Sequence, residues 1–175
     1  MRRTPLGQLL VESGSIDGRQ LRAGLDWQKR RGGRLGNALV HLGMAREGDV
    51  MRALGSQLGI PTVDLIGRDV PSEVVGLVPA RIVAARQVLP LQLLSESRRG
   101  PLVVATADPL DLLAMDEVAF ASGKQLRIAL ATRSQLQVSI AHHLGLRHPE
   151  ALELGPEPTT EMDLVRPLSE RRFVN

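Results

Sequence analysis

Apolar positions in the first sixty residues recur at helical spacing, and they do so twice. In "LGQLLVESG" the apolar residues Leu6, Leu9 and Leu10 mark a short helix that stops near Gly14, a natural C′ residue. "DGRQLRAGLDWQKRR" then puts Leu21, Leu25 and Gln28 on one helical face, with Asp17 in the N-cap position. The same pattern returns as a helix from Leu35 to Leu42, a stop at Gly43, and a helix over about 47–58 that aligns Val50 with Leu54. "GIP" at 59–61 breaks the periodicity, and "TVDL" reads as a short strand.

From residue 71 the pattern changes. "PSEVVGLVPARIVAARQ" predicts two short helices separated by Pro79. "VLPLQLL" (88–94) and "PLVVATAD" (101–108) predict strands joined by the turn-like "SESRRG". "PLDLLAMDEVAFASG" predicts an amphipathic helix ending at Gly123. "QLRIALAT" predicts a third strand, and "SQLQVSIAHHLG" a helix with Ser134 as N-cap. The expected fold class is α+β: residues 1–60 form a four-helix repeat of two tandem hairpins, and 61–145 a small α/β unit of about three strands. Residues 146–175 are polar and punctuated by proline, which predicts a disordered tail or docking peptide.

The doubling is explicit in the letters. Residues 5–28 align without gaps on 34–57, and seven of the 24 positions are identical: Leu6/Leu35, Gly7/Gly36, Leu10/Leu39, Val11/Val40, Gly14/Gly43, Leu25/Leu54 and Gln28/Gln57. Leu21/Val50 is a conservative further match, and the spacer is "KRRGG". Two copies are too few for a solenoid, so the repeat predicts a pseudo-twofold pair of units.

Composition narrows the chemistry. There are no cysteines, which excludes disulfides and thiolate sites, and only Trp27, Phe120 and Phe173 are aromatic, so the core must be aliphatic. No run approaches 18 apolar residues and the N-terminus has no apolar signal region, so a cytoplasmic protein without a membrane-inserted segment is expected. Charge is uneven: +5 over residues 1–60, zero over 61–145 and −2 over 146–175. A basic half suits an anionic ligand, but without aromatic RNA-binding motifs or a recognition helix no nucleic-acid partner is expected.

Catalytic constellations are missing. The sequence has no phosphate-loop motif, no H-E-x-x-H and no G-x-S-x-G. His142 and His143 are adjacent and so point to different faces of a helix, while His41 and His148 have no partner at ligand spacing. The acids Asp108, Asp111, Asp116 and Glu117 fit the exposed start of a helix. No enzyme, metal or cofactor is expected. The repeat is the informative feature. Glycine after the first leucine of each copy permits close backbone approach, a helix N-terminus there offers N–H groups to an anion, and Arg34 can grip the O6/N7 edge of a guanine.

The doubled pattern R-L-G-x-x-L-V-x-x-G, followed by a helix ending L-x-x-Q around a five-residue spacer, resembles the MshEN-type domain. That domain opens many type II secretion and type IV pilus assembly ATPases, and its family binds cyclic di-GMP. "LGIPTVDL", "LVPARIVAARQVLPL", "LVVATADPLDLLAMDEVAFASG" and "LATRSQLQVSIAHHLG" are similar to the same region, so the resemblance covers about 4–145. It implies a half-site from each copy. Leu6, Leu21 and Leu25 would contact one half of the ligand, and Leu35, Val50 and Leu54 the other. Gly7 and Gly36 would admit it, Arg34 would hold one guanine, Gln28 and Gln57 would close the helix ends, and Asp108 would contribute from "ADPLD". One position departs: Pro5 stands where copy one should carry its arginine, and proline has no guanidinium and no N–H. A lost bidentate contact corresponds to about 1–3 kcal/mol, roughly tenfold to a hundredfold in affinity. Arg2 or Arg3 would be the only nearby replacements. The family's ATPases continue into a phosphate-loop domain absent from these 175 residues, so a fragment or a stand-alone sensor or adaptor is expected. The alternative is an interaction module that docks secretion or pilus machinery without a nucleotide.

Overall fold

The computed structural model describes residues 4–94 and 100–145. Its order is α1 (Leu6–Glu12), α2 (Gly18–Arg31), α3 (Leu35–His41), α4 (Glu47–Leu58), α5 (Ser72–Val75), α6 (Ala80–Arg86), β1 (Val88–Leu93), β2 (Leu102–Thr106), α7 (Leu112–Ser122), β3 (Leu126–Leu130) and α8 (Arg133–His143). The expected α+β class is the one observed. The predicted tail at 146–175, Arg2, Arg3 and most of the "SESRRG" turn lie outside the described residues.

The repeat is written into local geometry. Both α1 and α3 end in a Schellman motif: Ser15 N–H donates to Leu10 C=O and Met44 N–H to Leu39 C=O, at 3.0 and 2.8 Å. The αL residue that this turn needs is Gly14 (φ 70°) in one copy and Gly43 (φ 65°) in the other. Asp17 caps α2 by accepting from Arg19 N–H and Gln20 N–H, and the Gln20 side chain returns a bond to Asp17 N–H.

The two tandem hairpins are interleaved. The principal contacts run between copies, α1 against α4 and α2 against α3. The α2–α3 contact is opened by Gly24, where a Cβ would lie 2.6 Å from Cδ2 of Leu39 and 3.2 Å from Cδ1 of Leu35, whereas Gly7 and Gly36 seat other neighbours. A Cβ on Gly7 would lie 2.5 Å from Cδ1 of Leu21 and 3.2 Å from Cδ2 of Leu35; one on Gly36 would lie 2.6 Å from Cγ1 of Val50 and 3.5 Å from Cδ2 of Leu6. Gly7 and Gly36 therefore each admit the second helix of their own copy and the leading leucine of the other. Leu10, Ile16, Leu39, Val50 and Ala53 form the buried cluster beneath.

The second cluster covers the sheet. β1 and β2 pair antiparallel, with a bulge between Pro90 and Gln92, and β2 pairs parallel with β3 through the α7 crossover. Pro90 is tolerated because β1 is an edge strand. The expected strand at "TVDL" is one parallel bridge, Thr62 to Leu130: Leu130 N–H donates to Pro61 C=O and Val63 N–H to Leu130 C=O, and the chain then turns away. The N-cap of α8 is Thr132, whose Oγ1 accepts from Gln135 N–H, not Ser134. Ser134 donates instead to Glu47. His143 fastens residues 64–70 to α8, with Nε2 accepting from Val70 N–H at 3.0 Å and Nδ1 donating to Ser139 C=O at 2.7 Å.

Candidate functional site

The two lead-ins to the leucine-glycine helices, Pro5 and Arg34, are both extended N-caps without a side-chain cap bond (φ/ψ −60°/144° and −99°/143°). What fixes them is reciprocal. Gln28, at the end of copy one, donates from Nε2 to Gly33 C=O, the residue before Arg34. Gln57, at the matching place in copy two, donates from Nε2 to Thr4 C=O, the residue before Pro5. Both distances are 2.8 Å. Each glutamine thus straps the lead-in of the other copy: Gln28 reaches only five residues forward, whereas Gln57 reaches back 53 residues to a partner that the fold alone supplies.

Of the predicted leucines, Leu6, Leu21 and Leu35 pack on the core of the helical repeat. Leu6, Leu21, Leu35 and Leu54 are half-buried, Leu25 is 38% exposed, and Val50 is buried. Gly7 and Gly36 lie buried. Equivalent residues take equivalent places in the two copies: Leu21 and Leu35 lie against Gly7 as Val50 and Leu6 lie against Gly36, and Gln28 and Gln57 bond the residues that precede Arg34 and Pro5.

Polarity is not symmetric. Arg34 is exposed at the start of α3 and forms an ion pair with Asp108, in the loop between β2 and α7. The Asp108 carboxylate also accepts from Leu110 N–H at 3.1 Å, which holds the loop in shape. Copy one presents Pro5 at the equivalent place, exposed and without a guanidinium. Arg34 and Asp108, 74 residues apart, are thereby joined across the seam between the helical repeat and the sheet.

Sequence reasoning missed the rest of that seam. Glu47 at the start of α4 accepts from both Ser134 N–H (3.1 Å) and Ser134 Oγ–H (2.6 Å), and so caps α8 from 87 residues away. Beside it lies a cleft of about 370 Å³ lined by Asn37, His41, Glu47, Ala107 and Arg133, with Val50 as the predicted site residue in its wall. No local signal marks Glu47 or Arg133, because only the tertiary fold makes them neighbours. Among the described residues no group of three or more His, Asp or Glu is placed to hold a metal, and no helix is long and apolar enough to cross a membrane.

The MshEN domain profile matches residues 58–150, the part that carries the sheet. The structure aligns with that of MshE with cdg at a TM-score of 0.67 and 30% identity, covering 81% of this chain and 99% of that one. The N-terminal domain of XpsE aligns at a TM-score of 0.59 and 25% identity, over 80% of this chain and 96% of that one. Over 162 residues the sequence is 28% identical to the type IV pilus assembly ATPase PilB of Myxococcus xanthus (strain DK1622). That alignment takes in 92% of this chain and 28% of PilB, so the chain spans under a third of that relative's length. With a profile match over more than half its residues and a solved relative matched along nearly its whole length, the chain belongs to the MshEN domain family.

Proposed function

We propose that this chain is a non-catalytic regulatory module that binds cyclic di-GMP, of the kind that opens secretion and pilus ATPases. The observation that carries the reading is the pseudo-twofold arrangement around Leu6 and Leu35, with its reciprocal glutamine straps. Cyclic di-GMP is itself a twofold-symmetric dianion with two guanines, and MshE, the solved neighbour, is described with cdg. On this reading Leu6, Leu21 and Leu25 cover one half of the ligand and Leu35, Val50 and Leu54 the other. Gly7 and Gly36 keep the helices close, and Gln28 and Gln57 fix the lead-ins. Arg34 donates two bonds to the O6/N7 edge of one guanine. Asp108 holds that guanidinium in the free protein and offers a carboxylate to the guanine N1–H and N2–H donors. Capture of the ligand would exchange the Arg34–Asp108 contact for ligand contacts and so alter the seam. Pilus or secretion proteins of the cytoplasmic side would read that change.

Two observations favour the competing reading, a docking module without nucleotide: Pro5 in place of an arginine, and the engagement of Arg34 by Asp108. Calorimetric titration with cyclic di-GMP, with GTP and cyclic di-AMP as controls, separates them. The expected outcome is selective binding at micromolar affinity or tighter, weakened about tenfold to a hundredfold by Arg34→Ala. Absence of heat and of any thermal shift at millimolar cyclic di-GMP would leave the docking reading standing.

A further inference from the structure

The outer face of α7 is used neither by the fold nor by the ligand reading. With 3.6 residues per turn, Leu112, Asp116 and Phe120 form one ridge and Leu113 lies beside it. Leu112 is 70% exposed, Leu113 74% and Phe120 91%. Leu110, in the loop that leads into the helix, adds a further exposed leucine. The opposite face is equally apolar, with Ala114, Met115 and Val118 buried against the sheet core. A helix that is hydrophobic on both sides is the pattern of an element between two layers, and among the described residues only one layer is present. Phe120 sharpens the point: the interior is almost wholly aliphatic, yet this ring faces outward.

The acids of this region are not equivalent. Asp108 pairs with Arg34, Asp111 caps α7 by accepting from Ala114 N–H, and Glu117 pairs with Arg86 at 2.5 Å. Asp116 has no hydrogen bond or ion pair among the described residues, and it stands in the middle of the ridge between Leu112 and Phe120. Burying a carboxylate inside an apolar contact is unfavourable unless a cation meets it, so this charge selects what can cover the face.

We propose that the outer face of α7 is a docking surface for an amphipathic helix of another protein. That helix sets leucine- or phenylalanine-type side chains against Leu112, Leu113 and Phe120, and a lysine or arginine against Asp116. The interface centre is the apolar ridge, where large side chains contribute most, and the ion pair fixes register and excludes acidic competitors. The surface stands apart from nucleotide binding, since a chain that takes no cyclic di-GMP would still present it.

The test places p-benzoylphenylalanine at position 120 of the full chain in the producing cells, followed by mass spectrometry of the photo-crosslinked peptide. The expected product is one helical, apolar and Lys- or Arg-bearing segment of a different protein. Asp116→Arg, whose unchanged circular dichroism and melting temperature would establish an intact fold, should reduce the crosslink at least tenfold. Changing the partner's basic residue to glutamate should restore it in the Asp116→Arg background. A crosslink to this chain's own sequence, whether to a second copy or to residues 146–175, would overturn the proposal. So would no crosslink, or one indifferent to the charge at 116.

Discussion

A methyl group added at Gly36 would meet Cγ1 of Val50 at 2.6 Å, and one at Gly7 would meet Cδ1 of Leu21 at 2.5 Å. The distances are alike but the neighbours are not. Val50 is 4% exposed and branched at Cβ, so it has no rotamer into which to retreat. Leu21 is half-buried, and the end of its side chain can swing toward solvent. Alanine at either position gains about 1 kcal/mol in helix propensity, while overpacking a closed site costs about 1–3 kcal/mol. Gly36→Ala is therefore expected to destabilise by about 1–2 kcal/mol in urea denaturation, and Gly7→Ala to stay within about 0.5 kcal/mol of the parent. Equal losses at both positions would show that Leu21 is held as firmly as Val50. The same residues limit what sequence reading can say, because a leucine that packs and a leucine that touches a ligand have the same letter. Arg34 and Pro5 are more informative, since a guanidinium has little to gain from an aliphatic core.

At the scale of elements, α2 is the best-determined helix, and its start is a titratable device. Hydrogen bonding from Gln20 N–H, reinforced by Arg19 N–H and the charges of Arg19 and Arg22, holds the Asp17 carboxyl below the ordinary aspartate value of 3.8. A lowered folded-state value means that the ionised cap stabilises the protein above the unfolded-state value, and that this contribution disappears as pH falls through the folded-state one. Asp17→Ala is thus expected to melt at a lower temperature than the parent at pH 7, with the two melting curves converging as the pH drops below about 3.8. A constant difference across that range would mean that the cap acts through packing and not through charge. Asp17, Gly14, Gly43 and Gly123 were legible because caps and stops are local chemistry. The sequence points to Ser134 as the cap of α8, and the structure uses Thr132, an equally good cap two residues earlier, because Glu47 engages Ser134 from another part of the chain. The bridge at Thr62 reads as a strand in the sequence because local residue pattern reveals β character but not how long a partner stays alongside. The repeat was legible as a doubling, whereas the exchange of partners between α1–α4 and α2–α3 was not, since either pairing buries the same leucines.

At the scale of the molecule, six buried apolar side chains hold the helical repeat and twenty-one hold the sheet unit among the described residues, so the repeat is expected to be the less stable of the two. Between them the seam includes two polar links, Arg34–Asp108 and Glu47–Ser134. Hydrogen exchange should accordingly be faster in α1–α4 than in β1–β3, and Glu47→Ala, which removes the acceptor of Ser134 N–H and Oγ–H while leaving the Thr132 cap, should cost about 1 kcal/mol and raise exchange at the first turn of α8. Uniform protection across both parts would show that the seam transmits cooperativity in full. The crossed straps have a consequence for dissection of the chain. Since Gln28 steadies the lead-in of copy two and Gln57 that of copy one, a single copy has no strap for its own entrance. Severing the chain within "KRRGG" would leave each half without the fastening that the other supplies.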